Sequence, residues 1–305
     1  MTAIGELREA CAEAARRGGE VLCRKWGTRR TIDYKGGIDL VTDADRASEE
    51  ALLAFLSGRF PGSAVLAEES GARAAVEGAL GDGLRWFVDP LDGTTNYAHG
   101  VPHFAVNVAV VDGAGIAAGA TLDPLRGELF VAGRGEGAWL GEEPLRVSAT
   151  GEMKRALLCT GFPYDIQENP DPLLRLFRAY IQRARAVRRF GAAALDLAYV
   201  ACGRFDGFWE ARLKPWDVAP GILLVREAGG SVADFTGGDD MLHGGTICAA
   251  NPALQRQLLD VLAEVRGDQG VVGAGAAGAP GPAGDAGAGA AEPAGTDAAS
   301  AKASR

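Results

Sequence analysis

Apolar residues Ile4, Leu7, Cys11, Ala14, Val21 and Leu22 recur at the three-to-four-residue spacing of an amphipathic helix over residues 3–25. A second helix is predicted over about 44–58, where Leu52, Leu53, Phe55 and Leu56 form the apolar stripe and Thr42 or Asp43 serves as N-cap. The period then shortens. Ala64–Ala67 and Arg85–Val88 read as strands, and Phe104–Val111, Ile116–Leu122 and Glu128–Ala132 read as a meander punctuated by Gly and Asp-Pro. Downstream, strands are predicted at Leu157–Thr160, Val187–Phe190, Phe205–Glu210, Ser231–Phe235 and Thr246–Ala249, with helices over 171–185, 192–203, 217–228 and 252–266. Helices and strands intermixed over residues 1–266 predict a layered α/β or α+β architecture, in two halves of about 1–150 and 151–266. No repeat of solenoid period is present.

Beyond that the pattern stops. From Gly267 to Arg305 there is no aromatic residue, and Gly and Ala dominate with scattered Pro. Such a segment buries too little apolar surface to offset its chain entropy, so a disordered tail is expected. Glycine at every third position from Gly275 to Gly287 makes too short and too proline-poor a run for a collagen helix.

Charge narrows the function classes. The 305 residues carry 31 Lys+Arg against 40 Asp+Glu, a net charge of −9, which argues against general nucleic-acid binding. The basic cluster Arg183, Arg185, Arg188 and Arg189 lacks interleaved aromatics and reads as a solvated helix end or a subunit contact. No apolar run of about 18 residues exists to cross a membrane. The N-terminal segment mixes charges with small apolar residues and lacks a signal-peptide core, so a cytoplasmic protein is expected. The five cysteines are scattered without a C-x-x-C pair and read as reduced, mostly buried residues.

The most informative stretch is Trp86-Phe-Val-Asp89-Pro90-Leu91-Asp92-Gly93-Thr94-Thr95-Asn96. An apolar run ends in two carboxylates three residues apart, which repel unless a cation lies between them. Such hard oxygen donors suit Mg²⁺ or Mn²⁺. The Gly-Thr-Thr segment offers N–H groups and hydroxyls to a phosphate. A strand, an Asp-Gly turn and a helix cap would also account for this segment. Three further acidic groups have equally plain alternatives. Glu68-Glu69 ends a strand, where a solvated pair is ordinary. Asp39, Asp43 and Asp45 enter a helix, where acids complement the dipole. Asp217 follows Trp216 at another helix start, with Pro220 placed in the first turn.

Together these segments resemble the inositol monophosphatase family of Mg²⁺-dependent, lithium-sensitive phosphatases. The resemblance is carried in order by Asp39-Leu-Val-Thr-x-x-Asp45, Glu68-Glu69-Ser70, Asp89-Pro-Leu-Asp92-Gly-Thr-Thr-Asn96, Gly161-Phe-Pro-Tyr164, Gly191-Ala-Ala-Ala-Leu-Asp196-Leu-Ala-Tyr199, Trp216-Asp217 and Glu227-Ala-Gly-Gly230, and covers about 5–266. It implies an α+β fold, the five-layer αβαβα sandwich of the inositol monophosphatase/fructose-1,6-bisphosphatase type. It also implies a homodimer, and two or three Mg²⁺ ions with Mn²⁺ as a possible substitute.

Site roles follow from the same resemblance. Glu68, Asp89 and the Leu91 carbonyl would hold one ion; Asp89, Asp92 and Asp217 a second; Glu68 with waters a third, weaker one. Thr94, with Asp45 or Glu68, would orient the attacking water, activated by metal. Gly93, Thr94 and Thr95 would bind phosphate oxygens, and Asp92, Gly191, Ala193, Glu210 and Asp217 would line a sugar-alcohol pocket. No side-chain nucleophile is required, and His99, His103 and His243 read as structural or surface residues.

The implied substrate is a small phosphate ester, inositol 1-phosphate or a related polyol phosphate. Fructose-1,6-bisphosphatase, histidinol-phosphatase and 3′-phosphoadenosine-5′-phosphate phosphatase activities occur on the same fold, and a mainly regulatory binding role is an alternative of another class. Three positions depart from the family pattern: Ala67 stands for Gly or Ser, Ala192 for Ser or Thr beside the pocket, and Pro220 for a small residue.

Overall fold

In the computed structural model, residues 2–27, 32–35, 39–73 and 83–267 are described; the expected tail lies outside the described residues except for Gly267. The helices are α1 (Ile4–Lys25), α2 (Asp43–Arg59), α3 (Thr94–Ala98), α4 (Asp171–Ile181), α5 (Ala193–Ala201), α6 (Pro215–Glu227) and α7 (Pro252–Gly267). The strands of the first half are β1 (Ile32–Lys35), β2 (Asp39–Thr42), β3 (Ala64–Ala67), β4 (Gly71–Arg73), β5 (Arg85–Asp92), β6 (Ala105–Asp112), β7 (Gly115–Asp123), β8 (Glu128–Gly133), β9 (Gly137–Leu140) and β10 (Glu143–Pro144). The second half adds β11 (Leu157–Thr160), β12 (Ala186–Arg188), β13 (Gly207–Ala211), β14 (Ser231–Ala233) and β15 (Thr246–Ala250).

Apart from the β1–β2 hairpin, the strands form two sheets. One has eight strands in the order β10-β9-β8-β7-β6-β5-β3-β4, and the other five in the order β12-β11-β13-β15-β14. Alternation along β6 explains the stacking. Val106, Val108 and Val110 join the core under α1 and α2, while Ala109 meets Ala219 of α6 on the opposite face. Helices α5 and α6 pack on each other; α6 covers the large sheet, and α5 contacts β11, β13 and β15 of the small one. Helix α7 packs on β13, β14 and β15, with α4 beside it. The protein is therefore an α+β sandwich with layers αβαβα.

Several expectations shift. Helix α4 ends at Ile181 rather than 185, because Gln182 is its C-cap and the chain turns into β12. Strand β14 stops at Ala233, since Asp234 Oδ1 accepts from the Thr236 and Gly238 N–H groups and bends the chain. Strands β4, β9 and β10 lack the alternation that would have announced them, and in the β1–β2 hairpin only the four residues Ile32–Lys35 alternate, too short a run to stand out.

Pro220 is the clearest correction. It lies inside α6 rather than in its first turn, since the helix begins at Pro215. A proline there removes the N–H that would reach the Trp216 carbonyl. Asn107 of β6 supplies the donor instead, giving Nδ2–H to Trp216 O at 2.7 Å and to Asp217 O at 3.1 Å, while Thr121 Oγ1 donates to Asn107 Oδ1 at 2.6 Å. Gly119 of β7 makes room for the ring: a Cβ there would lie 2.8 Å from Pro220 Cα. The start of α6 is thus tied to the large sheet at Asp217.

Candidate active site

Pro90 has no N–H for the sheet ladder, and the β5–β6 register shifts between Asp89 and Asp92. The acidic motif therefore bulges from the ladder between two paired residues, Asp89 and Asp92, while the strand before it stays buried. Asp89 is 1% exposed, and its Oδ1 accepts from Leu91 N–H at 2.9 Å. Glu68 follows β3, which runs parallel to β5. Its N–H donates to Val88 O at 3.1 Å, and Glu49 of α2 accepts from the Glu69 N–H at 2.9 Å, so Glu68 is set beside Asp89.

Gly93 adopts φ +86°, a left-handed conformation, and starts α3. A Cβ there would press to 3.2 Å on the carbonyls of Gly191 and His103. Asn96 Nδ2–H donates to His103 O at 2.8 Å and Phe190 O at 2.9 Å, fastening this loop to the segment before α5. Asp92 completes that junction. Its Oδ2 accepts from Ala194 N–H at 2.8 Å, at a helix start whose N-cap residue, Ala192, has no side-chain cap.

Helix capping and the proposed chemistry coincide at Asp45 and Asp217. Each reaches back to its own helix start: Asp45 Oδ2 accepts from Thr42 N–H at 2.9 Å, and Asp217 Oδ2 from Lys214 N–H at 2.7 Å. Thr42, rather than Asp43, is the N-cap of α2. Thr94 Oγ1 lies 3.1 Å from Asp45 Oδ1 and 2.9 Å from the Leu91 carbonyl oxygen, with one proton to give to the two.

A cavity of about 950 Å³ opens here. Glu68, Asp89, Leu91, Asp92, Gly93, Thr94 and Thr95 line one side, and Gly191, Ala193, Glu210 and Asp217 the other. Asp45 alone of the residues singled out does not line it, and sits buried behind Thr94. A smaller hollow of about 210 Å³ against α1, lined by Arg8, Glu9 and Arg16 among others, holds none of these groups.

The electrostatics are those of crowded acids. Burial, then the charges of Glu68, Asp92 and Asp217, raise the Asp89 carboxyl well above the usual range. Burial and Asp217 push Asp92 up to about 7, and burial pushes Asp217 up to about 6 against the pull of Lys214. Burial, Asp92 and Asp217 push Glu210 up to about 8, with Arg189 opposing. Burial also raises Asp45, against hydrogen bonds from Thr42 and Thr94.

All the donors are oxygens, and their mutual repulsion calls for positive charge, which fits a hard divalent cation. Among the described residues, no three His, Cys, Asp or Glu side chains already enclose an ion as they stand. The fit therefore rests on donor chemistry and the shared cavity.

Sequence reasoning missed part of the wall. Arg189, Arg212 and Lys214 line the cavity with Phe162 and Tyr164. Arg189 was hidden in the basic cluster, where spacing gave no sign that it alone turns to the cavity while Arg183 pairs with Glu264 at 2.7 Å. His99 lines the cavity, His103 is buried and His243 is exposed. Among the described residues, no helix is long and apolar enough to cross a membrane.

Comparison with known proteins gives a consistent picture. The profile of the inositol monophosphatase family matches residues 4–267. "Nus factor SuhB" of Pseudomonas aeruginosa is 46% identical over 255 residues, covering 82% of this chain and 93% of that protein. "Inositol-1-monophosphatase" of Caulobacter vibrioides is 44% identical over 255 residues, covering 82% and 98%. The crystal structure of extragenic suppressor protein suhB from Bartonella henselae superposes with a TM-score of 0.79 at 40% identity, covering 83% of this chain and 97% of that one.

Proposed function

The chain belongs to the inositol monophosphatase family, and from that premise we propose that it is a Mg²⁺-dependent phosphomonoesterase acting on inositol 1-phosphate or a related polyol phosphate. The observation that carries this reading is the single cavity in which Glu68, Asp89, Asp92 and Asp217 face the Gly93-Thr94-Thr95 turn and the Glu210 wall.

The family is Mg²⁺-dependent. Glu68, Asp89 and the Leu91 carbonyl would hold one ion, Asp89, Asp92 and Asp217 a second, and Glu68 with waters a third, weaker one, with Mn²⁺ as a substitute. When bound, the ions supply the positive charge that phosphate oxygens and a leaving alkoxide require. Thr94 Oγ1, backed by Asp45, orients the attacking water by accepting its hydrogen bond. Thr94 and Thr95 hold phosphate oxygens through their hydroxyl and N–H groups, with Gly93 allowing close approach. Glu210 accepts hydrogen bonds from the hydroxyls of the alcohol, beside Gly191 and Ala193. That preference favours a polyol over a nucleotide. Inhibition by lithium, a homodimer and a cytoplasmic location go with the same reading.

The test is phosphate release from inositol 1-phosphate, fructose 1,6-bisphosphate, histidinol phosphate and 3′-phosphoadenosine 5′-phosphate at saturating Mg²⁺. The highest kcat/KM is expected for inositol 1-phosphate. A higher value for one of the other three reassigns the substrate.

Relatives named as Nus factors favour a second reading, a regulatory role beside catalysis. The intact carboxylate set favours the enzyme. Full rescue of a deletion strain by the doubly substituted Asp89→Asn, Asp92→Asn chain would move the main role to binding.

A further inference from the structure

Asp196 has no part in the chemistry above, yet its placement is unusual. It lies in α5, is 0% exposed, and neither carboxylate oxygen has a hydrogen-bond partner among the described residues. Buried carboxylates are rarely left so, because an unpaired charge loses its hydration with nothing in return. It does not line the cavity. Helix α5 packs on β11 and β13, which places Asp196 behind the wall that Glu210 presents.

The charged groups that act on Asp196 are Glu210, Asp92 and, with opposite sign, Arg189. On β13, Phe208 packs with Ala193 and Leu197 of α5 while Trp209 faces the opposite cluster, so Glu210, two residues beyond Phe208, shares the face that α5 covers. Arg189 is engaged elsewhere. It is exposed, its Nη2–H donates to Phe162 O at 3.4 Å, and a Cβ on Gly191 would lie 2.4 Å from its Nη1.

Glu210 is also loosely held. It is 8% exposed, and among the described residues its carboxylate makes no hydrogen bond. It occupies the space left by the missing side chain of Gly161, where a Cβ would lie 2.2 Å from both Oε atoms. Two neighbouring buried carboxyl groups without donors are relieved when one of them keeps a proton and gives it to the other.

We propose that Asp196 is a positioning residue for Glu210, a neutral carboxyl group whose proton is donated across one buried water to the carboxylate that faces the substrate. Asp196 touches neither substrate nor metal. It fixes which Glu210 oxygen points into the cavity. This inference rests on the reading of Glu210 as the acceptor of substrate hydroxyls.

The test uses the full chain at saturating Mg²⁺ with two substrates, inositol 1-phosphate and p-nitrophenyl phosphate, the second having no ring hydroxyl for Glu210. Asp196→Leu removes the donor at similar volume. KM for inositol 1-phosphate should rise about tenfold, while kcat/KM for p-nitrophenyl phosphate stays within about twofold. Asp196→Asn, whose amide can donate in the same place, should keep a near-normal KM for both. Glu210→Ala should raise KM for inositol 1-phosphate at least as far as Asp196→Leu does.

Equal losses on both substrates in Asp196→Leu would mean a merely structural role and overturn the inference. So would an unchanged KM in Asp196→Leu beside a raised one in Glu210→Ala, and that outcome spares the pocket reading. An unchanged KM in Glu210→Ala overturns the pocket reading and this inference with it. Should Asp196→Leu not fold, Asp196→Asn decides: a near-normal KM supports the inference, and a rise of about tenfold overturns it.

Discussion

The two ends of the large sheet hold acids of the same kind in opposite circumstances. At one end Asp112 closes β6, and Arg134 grips both of its oxygens, at 2.9 and 2.7 Å. That hydrogen bonding holds the Asp112 carboxyl below its usual range. At the other end, where β5 carries Asp89 and Asp92, no arginine among the described residues bonds the acids, and burial and mutual repulsion raise them. An acid given a cation by its own chain is part of the scaffold. Acids crowded without one call for a cation from outside, which is what the proposed divalent ions would supply.

The sharpest way to break this contrast is to neutralise one acid at each end. Asp89→Asn should lower kcat/KM by ~10³-fold or more at saturating Mg²⁺, the loss expected when several kcal/mol of charge stabilisation disappear. Its metal-free melting temperature should hold or rise, since a repulsive buried charge is gone. Asp112→Asn should leave turnover within about twofold. Equal activity losses at both ends would erase the distinction.

Next in size is Gly161→Ala. The new methyl group displaces the Glu210 carboxylate, whose oxygens lie 2.2 Å from the Cβ position. Because the end of a flexible side chain yields, the fold should survive, while KM for inositol 1-phosphate rises about tenfold. An unchanged KM would show that Glu210 does not set substrate fit.

A pH series sharpens the comparison in stability. With Asp92 held at about 7 and Glu210 at about 8, the folded state binds protons more tightly than the unfolded chain, whose carboxylates titrate near 4. The stabilisation is complete below the ordinary carboxylate range and is lost as pH rises through about 6 to 8. Metal-free protein should therefore melt several degrees higher at pH 5.5 than at pH 8. Added Mg²⁺ should shrink that gap by stabilising the ionised form. A melting temperature that climbs with pH in the metal-free protein would contradict the charge assignment. The smallest effect belongs to Arg134→Ala, which should cost less than about 1 kcal/mol in denaturant unfolding and leave turnover unchanged, as a partly exposed ion pair does.

Much of this was legible before the fold. Local order did it: the strands flanking Glu68 and Asp89 are apolar runs that stop at acids, and helices that begin at acids cap themselves, as Asp45 and Asp217 do. What was not legible depends on contacts distant in sequence. Pro220 passes for a first-turn residue until Asn107, on another strand, is seen to satisfy the carbonyl it orphans. Arg189 is one of several neighbouring arginines until the fold turns it to the cavity. Asp196 sits inside a helical stripe like any polar residue, and only packing shows its carboxyl group buried with no hydrogen-bond partner among the described residues.

The cleft acids are proposed to work only when a divalent cation completes them. The most direct measurement is phosphate release from inositol 1-phosphate by chelator-treated protein, titrated with Mg²⁺. Without metal, turnover should not exceed background, and it should recover to saturation with added Mg²⁺. Undiminished turnover in the presence of excess chelator would contradict that dependence.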